Sequence, residues 1–377
     1  MKPIGLPSFS FDSPFAEHVV RLERARSALK VTQGNLDEPI LYELRTLFQY
    51  LTSMMSARIE GNRTTVVDAL NKKVQGEEGN DGLQEILNLE KASLFIDEVV
   101  DQEFHFTEVF VRELHRLSVQ GLVREGDSAP GSYRTTPVRI SQSRHIPPGP
   151  ESISADMRQL LEFINQDLPS QYHLLQTAIS HHRFVWIHPF TNGNGRVSRL
   201  LTYAMLVKQN FTSAGGYRAL NPTVVFGADR SAYYAHLEQA DSLENEDLIA
   251  WCSYVIQGLE KDLEHIMTLS NHDSVVKTVY YPALKRAYEA SLLTQAEVDI
   301  LMRTAQYGWI KAGDLADLIP GSASTRSQRL AKLIDRGLLA KEEGKRHYSI
   351  KIMGNVITLF VVRQLDALGM LPSILRD

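Results

Sequence analysis

The residues best suited to chemistry lie between positions 188 and 199, where a histidine, a glycine-rich turn and two arginines occur within twelve residues. Gly193 and Gly195 let the backbone turn tightly and approach a ligand without a side chain in the way. Arg196 and Arg199 are three residues apart, so both can reach phosphate oxygens. A neutral imidazole at His188 can take a proton from an incoming hydroxyl. The pattern indicates a base beside a cradle for phosphates.

Two buried helices are expected on either side of this turn. Each helix is indicated by a stripe of mainly apolar residues at three-to-four spacing. The first stripe is Leu175, Ala178, Ile179, His182 and Trp186, and the second is Val197, Leu200, Leu201, Ala204 and Met205. Pro189 cannot continue the first helix, and the second begins at about Gly195. The unpaired N–H groups and the positive dipole end of the second helix then face the loop, which predicts an anion site with a phosphate as its occupant.

The segment HPFTNGNGRVSR at 188–199 resembles the signature of the Fic (filamentation induced by cAMP) family, whose usual form is HPFx(D/E)GNGRxxR. Such proteins typically transfer AMP from ATP to a serine, threonine or tyrosine hydroxyl of a target protein. The resemblance implies that His188 deprotonates that hydroxyl, which attacks the α-phosphate while pyrophosphate leaves. It also implies that Arg199 anchors the γ-phosphate and that the phosphates are stabilised by Gly193, Asn194, Gly195 and Arg196.

One position departs from the family's pattern. Asn192 stands where the family carries an acidic residue that holds Mg²⁺ against the ATP phosphates. Hard cations prefer charged carboxylate oxygens, and an amide oxygen is a neutral and weaker ligand. The resemblance therefore implies ATP as substrate and Mg²⁺ as its metal, while Asn192 predicts weak metal binding and a slow transfer step.

A second motif lies in the N-terminal part of the chain. Ser56, Glu60 and Gly61 resemble the (S/T)xxxE(G/N) inhibitory motif that precedes the core in one class of Fic proteins. The resemblance implies that Glu60 pairs with Arg199 and keeps the γ-phosphate from seating productively, because a carboxylate replaces phosphate as partner of the guanidinium. A helix that ends at Glu60 with Gly61 as its C-terminal cap accounts for the same residues without any regulation.

Composition limits the classes of protein that the chain can belong to. Its 377 residues, 43% of them hydrophobic, suggest two or three domains with sizeable cores. The formal charge of −5 gives no general affinity for nucleic acid. Cys252, the single cysteine, is expected in the core rather than as a nucleophile. No apolar run approaches the about 18–20 residues of a spanning helix, and no basic-then-apolar signal opens the chain, which predicts a cytoplasmic protein that binds no membrane.

Residues 131–150 interrupt the helical pattern with Gly131 and four prolines. The family places a β-hairpin flap over the active site at this position, and the segment resembles its usual sequence. Val138, Arg139 and Ile140 are then the residues that dock an extended piece of the target protein by main-chain pairing. An ordinary surface hairpin is the alternative interpretation.

Aromatic and histidine side chains near the signature need separate interpretations. The family commonly places an aromatic ring against the adenine, and Tyr233 and Tyr234 are the candidates here, although either can equally belong to the core. His181 and His182 precede His188 closely enough to suggest a metal cluster. Because no acidic residue accompanies them at ligand spacing, we expect a surface histidine at position 181 and a core histidine at position 182.

The last third of the chain is predicted to form a module separate from the helical core. Thr294 and Glu297 form a capping box that opens a helix, a second helix stops at Pro320, and a third helix is followed by a hairpin around Gly344. This order resembles a winged helix-turn-helix. Residues 320–351 hold eight lysines and arginines against three acidic residues. DNA contact through Arg326, Arg329 and Lys332 is one interpretation. A solvated basic face, a protein-interaction module or a dimer contact are the others.

The sequence as a whole predicts a mainly α protein, with a Fic-type helical bundle and a C-terminal winged helix-turn-helix. The predicted boundaries are 1–66 for the N-terminal arm and inhibitory helix, 67–268 for the core with its flap at 131–150, and 269–377 for the last module. The predicted partners are a target protein with a hydroxyl side chain, DNA and a second copy of the chain. Three alternatives to AMP transfer stay open: removal of AMP with Glu60 placing a water, another phosphate-containing donor, or an impaired site in a DNA-binding regulator.

Overall fold

The computed structural model describes residues 3–32, 39–75, 80–140, 143–211, 222–269, 271–341 and 344–376. The described chain is mainly helical, as predicted, with one small antiparallel sheet. The helices up to the signature are α1 (Pro14–Thr32), α2 (Pro39–Ile59), α3 (Val66–Gln75), α4 (Asp81–Val99), α5 (Glu108–Val119), α6 (Ile153–Ile164) and α7 (His173–Ile187). Those that follow are α8 (Asn194–Lys208), α9 (Pro222–Ala228), α10 (Arg230–Ala240), α11 (Asn245–Leu269), α12 (His272–Val275), α13 (Tyr281–Glu289), α14 (Gln295–Tyr307), α15 (Ala323–Asp335) and α16 (Thr358–Ala367).

The helices α7 and α8 pack against each other, joined by the turn that carries the signature. Both are buried around most of their circumference, because α4, α5, α6 and α11 surround them. Trp251 of α11 is fully buried and donates its indole N–H to the Ala178 carbonyl of α7 at 2.7 Å. Cys252, next to it, is also fully buried, as predicted, and burial raises the pKa of its thiol.

The helix α2 lies within the core rather than on the surface. Sixteen of its residues are buried, and it packs on α4 and on α9. Its first turn is fixed by Glu43, whose carboxylate accepts the backbone N–H groups of Ile352 and Met353 at 2.8 and 3.2 Å. Its last turn is fixed by Arg58, which donates to the Ile374 carbonyl at 2.6 Å. The C-terminal residues therefore hold both ends of the helix that leads to Glu60.

The predicted division into three parts stays a prediction, and the hydrophobic core runs across its boundaries. One cluster of buried side chains includes Leu44 from the N-terminal part, Leu201 from the central part and Leu365 from the C-terminal part. Among the residues that the structure describes, no helix is long and apolar enough to cross a bilayer.

The flap predicted at 131–150 forms no paired strands within its described residues, 131–140 and 143–150. The Arg134 guanidinium holds the segment instead, donating to the carbonyls of His188, Thr136 and Pro148 at 2.8, 3.1 and 2.6 Å. Prolines in the segment lack the N–H groups that a strand ladder needs. The predicted hairpin is therefore wrong for these residues, and its turn at 141–142 lies outside the described ones. The position beside the signature is as expected, since Arg134 N–H donates to the Pro189 carbonyl.

The last module follows the predicted order of elements. The capping box at Thr294 and Glu297 is present and opens α14. A short 3₁₀ turn, Ala312–Leu315, precedes α15, and β1 (Leu339–Lys341) then pairs antiparallel with β2 (Tyr348–Ile350). An isolated bridge joins Ile310 to Tyr348 beside the hairpin. Recognition of this arrangement as a winged helix stays a prediction.

Candidate active site

His188 terminates α7 in a left-handed conformation, with a φ of 51°. Its Nδ1 lies 3.2 Å from the Val185 carbonyl. Because a carbonyl oxygen can only accept, Nδ1 carries the proton and the lone pair lies on Nε2. Burial lowers the pKa of His188 to about 4. The ring is therefore neutral at physiological pH and able to accept a proton through Nε2.

We expect the His188 ring to titrate at about pH 4 in the folded protein, well below its ordinary 6.5. Because the pKa is lower in the folded state, the unfolded chain takes up a proton at a higher pH than the folded chain does. Protonation of His188 therefore lowers the free energy of unfolding as the pH falls from 6.5 towards 4. An NMR titration of ring-labelled histidines measures this, and the signal lost in His188→Ala assigns the residue. A His188 signal that titrates near pH 6.5 contradicts the expectation.

The glycine-rich turn places the start of α8 at the predicted phosphate site. Gly193 has a φ of 75°, and a Cβ there would lie 2.8 Å from Val119 Cγ1, so the position requires glycine. The Asn194 side chain braces the loop, because its amide accepts from Phe190 N–H at 2.9 Å and donates to the Phe190 carbonyl at 2.8 Å. The predicted phosphate contact of Asn194 is thereby limited to its backbone.

Glu60 occupies the predicted anion site. Its carboxylate lies against the backbone of Gly195, where any Cβ would collide with Oε1. Arg199 Nη2 donates to Glu60 Oε1 at 2.7 Å and to the Ser56 carbonyl at 3.0 Å, and Arg199 Nε donates to Ser56 Oγ at 2.9 Å. Burial raises the pKa of Glu60, but the charge and hydrogen bond of Arg199 outweigh it, so the pKa lies below its usual value. The structure brings Ser56, Glu60 and Arg199 together.

Arg196 does not face the same space as Arg199. It is 1% exposed, and its Nη1 donates to Glu85 Oε1 at 3.0 Å while Nη2 donates to the Glu125 carbonyl at 2.6 Å. Burial raises the pKa of Glu85 above its ordinary value despite the neighbouring Arg196. The contact of Arg196 with phosphates therefore stays a prediction, and in this conformation its charge is paired with Glu85. The feature of the sequence that pointed to this pairing is Glu85 itself, an acidic residue between the apolar positions Leu83 and Ile86.

The Asn192 side chain offers no free oxygen to a magnesium ion. The Asn192 amide oxygen accepts from Gly193 N–H at 2.7 Å and from Arg196 Nη2 at 3.4 Å, and the amide nitrogen donates to the Gly126 carbonyl at 3.2 Å. The oxygen that would bind a cation is therefore surrounded by donors. No group of three or more acidic, histidine or cysteine side chains suited to a metal occurs among the described residues.

The two tyrosines of α10 have different surroundings. Tyr233 is 1% exposed and packs on Phe226, so it is a core residue and does not face an adenine. Tyr234 is 41% exposed, with the Arg230 guanidinium 5.5 Å from its ring, and stays the candidate for stacking. His181 is 1% exposed, so the prediction of a surface histidine is wrong, whereas His182 is buried as predicted. The Trp251 ring of α11 stacks on His181 with 5.6 Å between the ring centroids, which makes position 181 a core position.

The residues predicted to contact macromolecules lie in two places. Arg139 is exposed beside the signature loop, with Val138 and Ile140 half-buried. On α15, Arg329 and Lys332 are exposed, whereas Arg326 is half-buried and donates to the Gly321 carbonyl at 2.8 Å. Two of the three predicted DNA contacts are therefore presented to solvent.

The fold and the site define a helical domain in which a neutral histidine precedes an anion-binding turn at the start of a helix. Residues 105–206 of the chain match the Fic/DOC family. A similar relative, "Protein adenylyltransferase Fic" of Nematostella vectensis, is 30% identical over 182 residues, covering 48% of this chain and 39% of the relative. The protein of the same name from Drosophila willistoni is 30% identical over 216 residues, covering 55% of this chain and 40% of the relative. The chain thus spans about two fifths of the length of these curated relatives.

Solved structures support the fold. A Fic family protein from Desulfovibrio desulfuricans G20 matches with a TM-score of 0.56 and 21% identity, covering 94% of this chain and 100% of that one. A Fic domain containing signaling protein from Bacteroides thetaiotaomicron matches with a TM-score of 0.55 and 22% identity, covering 67% of this chain and 97% of that one. Both share the helical arrangement described above.

Proposed function

We propose that this protein transfers AMP from ATP to a hydroxyl side chain of a target protein, and that Glu60 restrains the transfer. The observation that carries the proposal is the neutral His188, with its Nε2 lone pair, beside the positive end of α8. A helix N-terminus binds phosphate oxygens through its free N–H groups. The curated relatives named adenylyltransferases favour AMP as the transferred group.

The chemical step follows from these positions. His188 Nε2 takes the proton of the target hydroxyl, and the hydroxyl oxygen bonds to the α-phosphorus of ATP. The bond from that phosphorus to the bridging oxygen breaks, and pyrophosphate leaves with the electron pair. Backbone N–H groups of Gly193, Asn194 and Gly195 stabilise the charge that develops on the phosphate oxygens. Arg199 binds the γ-phosphate once Glu60 has left, and Val138, Arg139 and Ile140 contact the target.

Two labels on ATP distinguish this reaction from other phosphate transfers. ATP labelled at the α-phosphate transfers its label to protein if AMP moves, whereas label at the γ-phosphate stays in solution. A lysate supplies candidate targets, and the protein itself is a second acceptor. Protein labelled by the γ-position but not by the α-position overturns the proposal in favour of phosphoryl transfer.

Asn192→Asp is expected to raise AMP incorporation about tenfold in the presence of Mg²⁺, which corresponds to about 1.4 kcal/mol of transition-state stabilisation. A carboxylate at position 192 supplies the charged ligand that the amide lacks. The measurement compares Glu60→Gly with the double variant, each with Mg²⁺ and with a chelator. Equal labelling by the two proteins, or a gain that survives the chelator, contradicts the expectation.

A second candidate function is duplex DNA binding by the last module, favoured by the exposure of Arg329 and Lys332 on α15. Replacing both by alanine is expected to weaken binding uniformly across sequences and to reduce the slope of log affinity against log salt by about 2. The matched control replaces Arg158 and Lys261, two exposed cations on α6 and α11. Equal salt slopes for the two double variants contradict DNA contact through α15.

A further inference from the structure

Both arginines of the signature are paired with carboxylates, and the two carboxylates come from different parts of the chain. Glu60 reaches Arg199 from just beyond the end of α2, whereas Glu85 reaches Arg196 from α4. The side chains of Glu85 and Arg196 are only 3% and 1% exposed, while that of Glu60 is 26% exposed. The Glu85–Arg196 pair is therefore the more deeply buried of the two, and salt in the solvent screens it very little.

Asn62 connects the Glu85–Arg196 pair to the inhibitory motif. Its backbone N–H donates to the Ala57 carbonyl at 3.1 Å, which fixes Asn62 to the last turn of α2. Its side-chain amide donates to Glu85 Oε2 at 2.8 Å, while Glu85 Oε1 accepts from Arg196 Nη1 at 3.0 Å. The inhibitory motif is thus connected to both signature arginines, to one directly and to the other through two side chains.

Arg196 is not fully satisfied in this position. Its Nε is buried and has no hydrogen-bond partner among the described residues, although most buried donors in proteins have one. Its Nη2 lies 3.4 Å from Asn192 Oδ1 and 3.6 Å from the point that a Cβ on Gly193 would occupy. The guanidinium therefore lies beside the glycine-rich turn and needs to move little to reach a phosphate bound there.

A cavity beside the pair gives Glu85 room to turn away from Arg196. Glu85 and Asn62 line this cavity of about 700 Å³, together with Arg124 and Glu125. Breaking a buried ion pair is costly when one charge stays buried without a partner. A carboxylate that turns into the cavity avoids that cost, because it exchanges the guanidinium for water.

We propose that Glu85 is a second restraint on ATP binding, which keeps Arg196 from the phosphates as Glu60 keeps Arg199 from them. The inference rests on the proposed function, because it takes the start of α8 as the triphosphate site. Phosphate oxygens form the same charge-assisted hydrogen bonds with a guanidinium as a carboxylate does. ATP also brings more negative charge than Glu85, so it can replace Glu85 once Asn62 has moved. Removing Glu60 alone therefore frees only one of the two arginines.

Glu85→Gln tests the proposal, because the amide keeps the size of the side chain and removes its charge. The background protein carries Glu60→Gly and His188→Ala, which free Arg199 and stop turnover. Calorimetric titration is expected to show an ATP affinity about tenfold higher than in the background protein. The gain is expected to disappear when Arg196→Ala is added, since the freed guanidinium is its source.

Asn62→Ala loosens the same pair without changing either charged side chain, and it carries the test if Glu85→Gln does not fold. In the background protein it is expected to raise ATP affinity about threefold, a gain that again requires Arg196. Added to the Glu85→Gln protein it is expected to have no further effect, because the two changes act on one contact.

The matched control is Asp97→Asn, which removes the charge of another carboxylate on α4 that pairs with an arginine, Arg45, at 3.2 Å. It is expected to leave ATP affinity at the background value. If Glu85→Gln lowers ATP affinity, leaves it unchanged or raises it no more than Asp97→Asn does, Glu85 serves only the fold, and AMP transfer stands as a proposal. If the background protein itself binds no ATP, the start of α8 is not a triphosphate site, and the proposed function fails together with this inference.

Discussion

Replacing Glu60 by glycine is expected to raise the incorporation of AMP from α-labelled ATP on the order of 10²-fold, the scale on which a misplaced reacting group costs rate. Glu60 Oε1 accepts from Arg199 Nη2 at 2.7 Å and lies against Gly195, so it fills the place of a phosphate at the start of α8. Removing the carboxylate frees the guanidinium and the backbone of α8 for the triphosphate. The measurement is label on protein per unit time at saturating ATP.

The matched control for this change is Glu98→Gly, which makes the same exchange at an exposed position near the end of α4. It is expected to leave labelling at the level of the native protein. Glu60→Gln separates charge from volume, because the amide is similar in size but cannot pair with Arg199 as an ion. Labelling of Glu60→Gly no faster than that of Glu98→Gly contradicts restraint by Glu60. Loss of bound AMP from a labelled target in the native protein favours the removal reaction instead.

Replacing His188 by alanine is expected to reduce labelling by about 10²- to 10⁴-fold, the range that a positioned general base contributes. The neutral imidazole keeps Nε2 free to accept, since Nδ1 donates to Val185. The Arg134 and Arg196 guanidinium groups beside the turn are donors only and cannot take the proton. The measurement uses the Glu60→Gly background, in which the starting rate is high.

Binding of ATP is expected to persist in His188→Ala, which separates loss of the base from loss of the site. His105→Ala is the matched control, since His105 is exposed in the same domain. Labelling by His188→Ala equal to that by His105→Ala shows that another group takes the proton.

The two motifs could be located in the sequence because each motif is local, whereas their pairing was implied only by the family resemblance. Glycine spacing, Pro189 and the apolar stripes located the turn between α7 and α8, and Glu60 contacts Arg199 as the resemblance implied. Local spacing carries no information about partners far apart in the chain. Glu85 and Arg196 are 111 residues apart, and their pairing follows only from the packing of α4 on α8.

The error at His181 has a related cause. A polar side chain on a helix is predicted to be exposed unless its hydrogen-bond partners are known. The partners of His181 lie on α8 and α10, far from it in the sequence. Burial of such a group is tolerated because every bond is satisfied. The absence of strands among the described residues of the 131–150 segment shows the same limit, since a resemblance in sequence does not specify which carbonyls Arg134 binds. The winged helix, the dimer and the cytoplasmic location stay predictions.

The contacts of Glu43 and Arg58 with the C-terminal residues join α2, the helix that leads to Glu60, to the last part of the chain. Because α2 is bonded to Ile352 and Met353 at one end and to Ile374 at the other, any displacement of Glu60 that moves the helix also strains those bonds. If Glu60 restrains ATP binding as proposed, thermodynamic linkage makes the effect reciprocal: a ligand that draws the C-terminal residues away favours ATP binding, and ATP favours that ligand by the same factor. Nucleotide binding and the position of the last module would then both depend on the same displacement of α2.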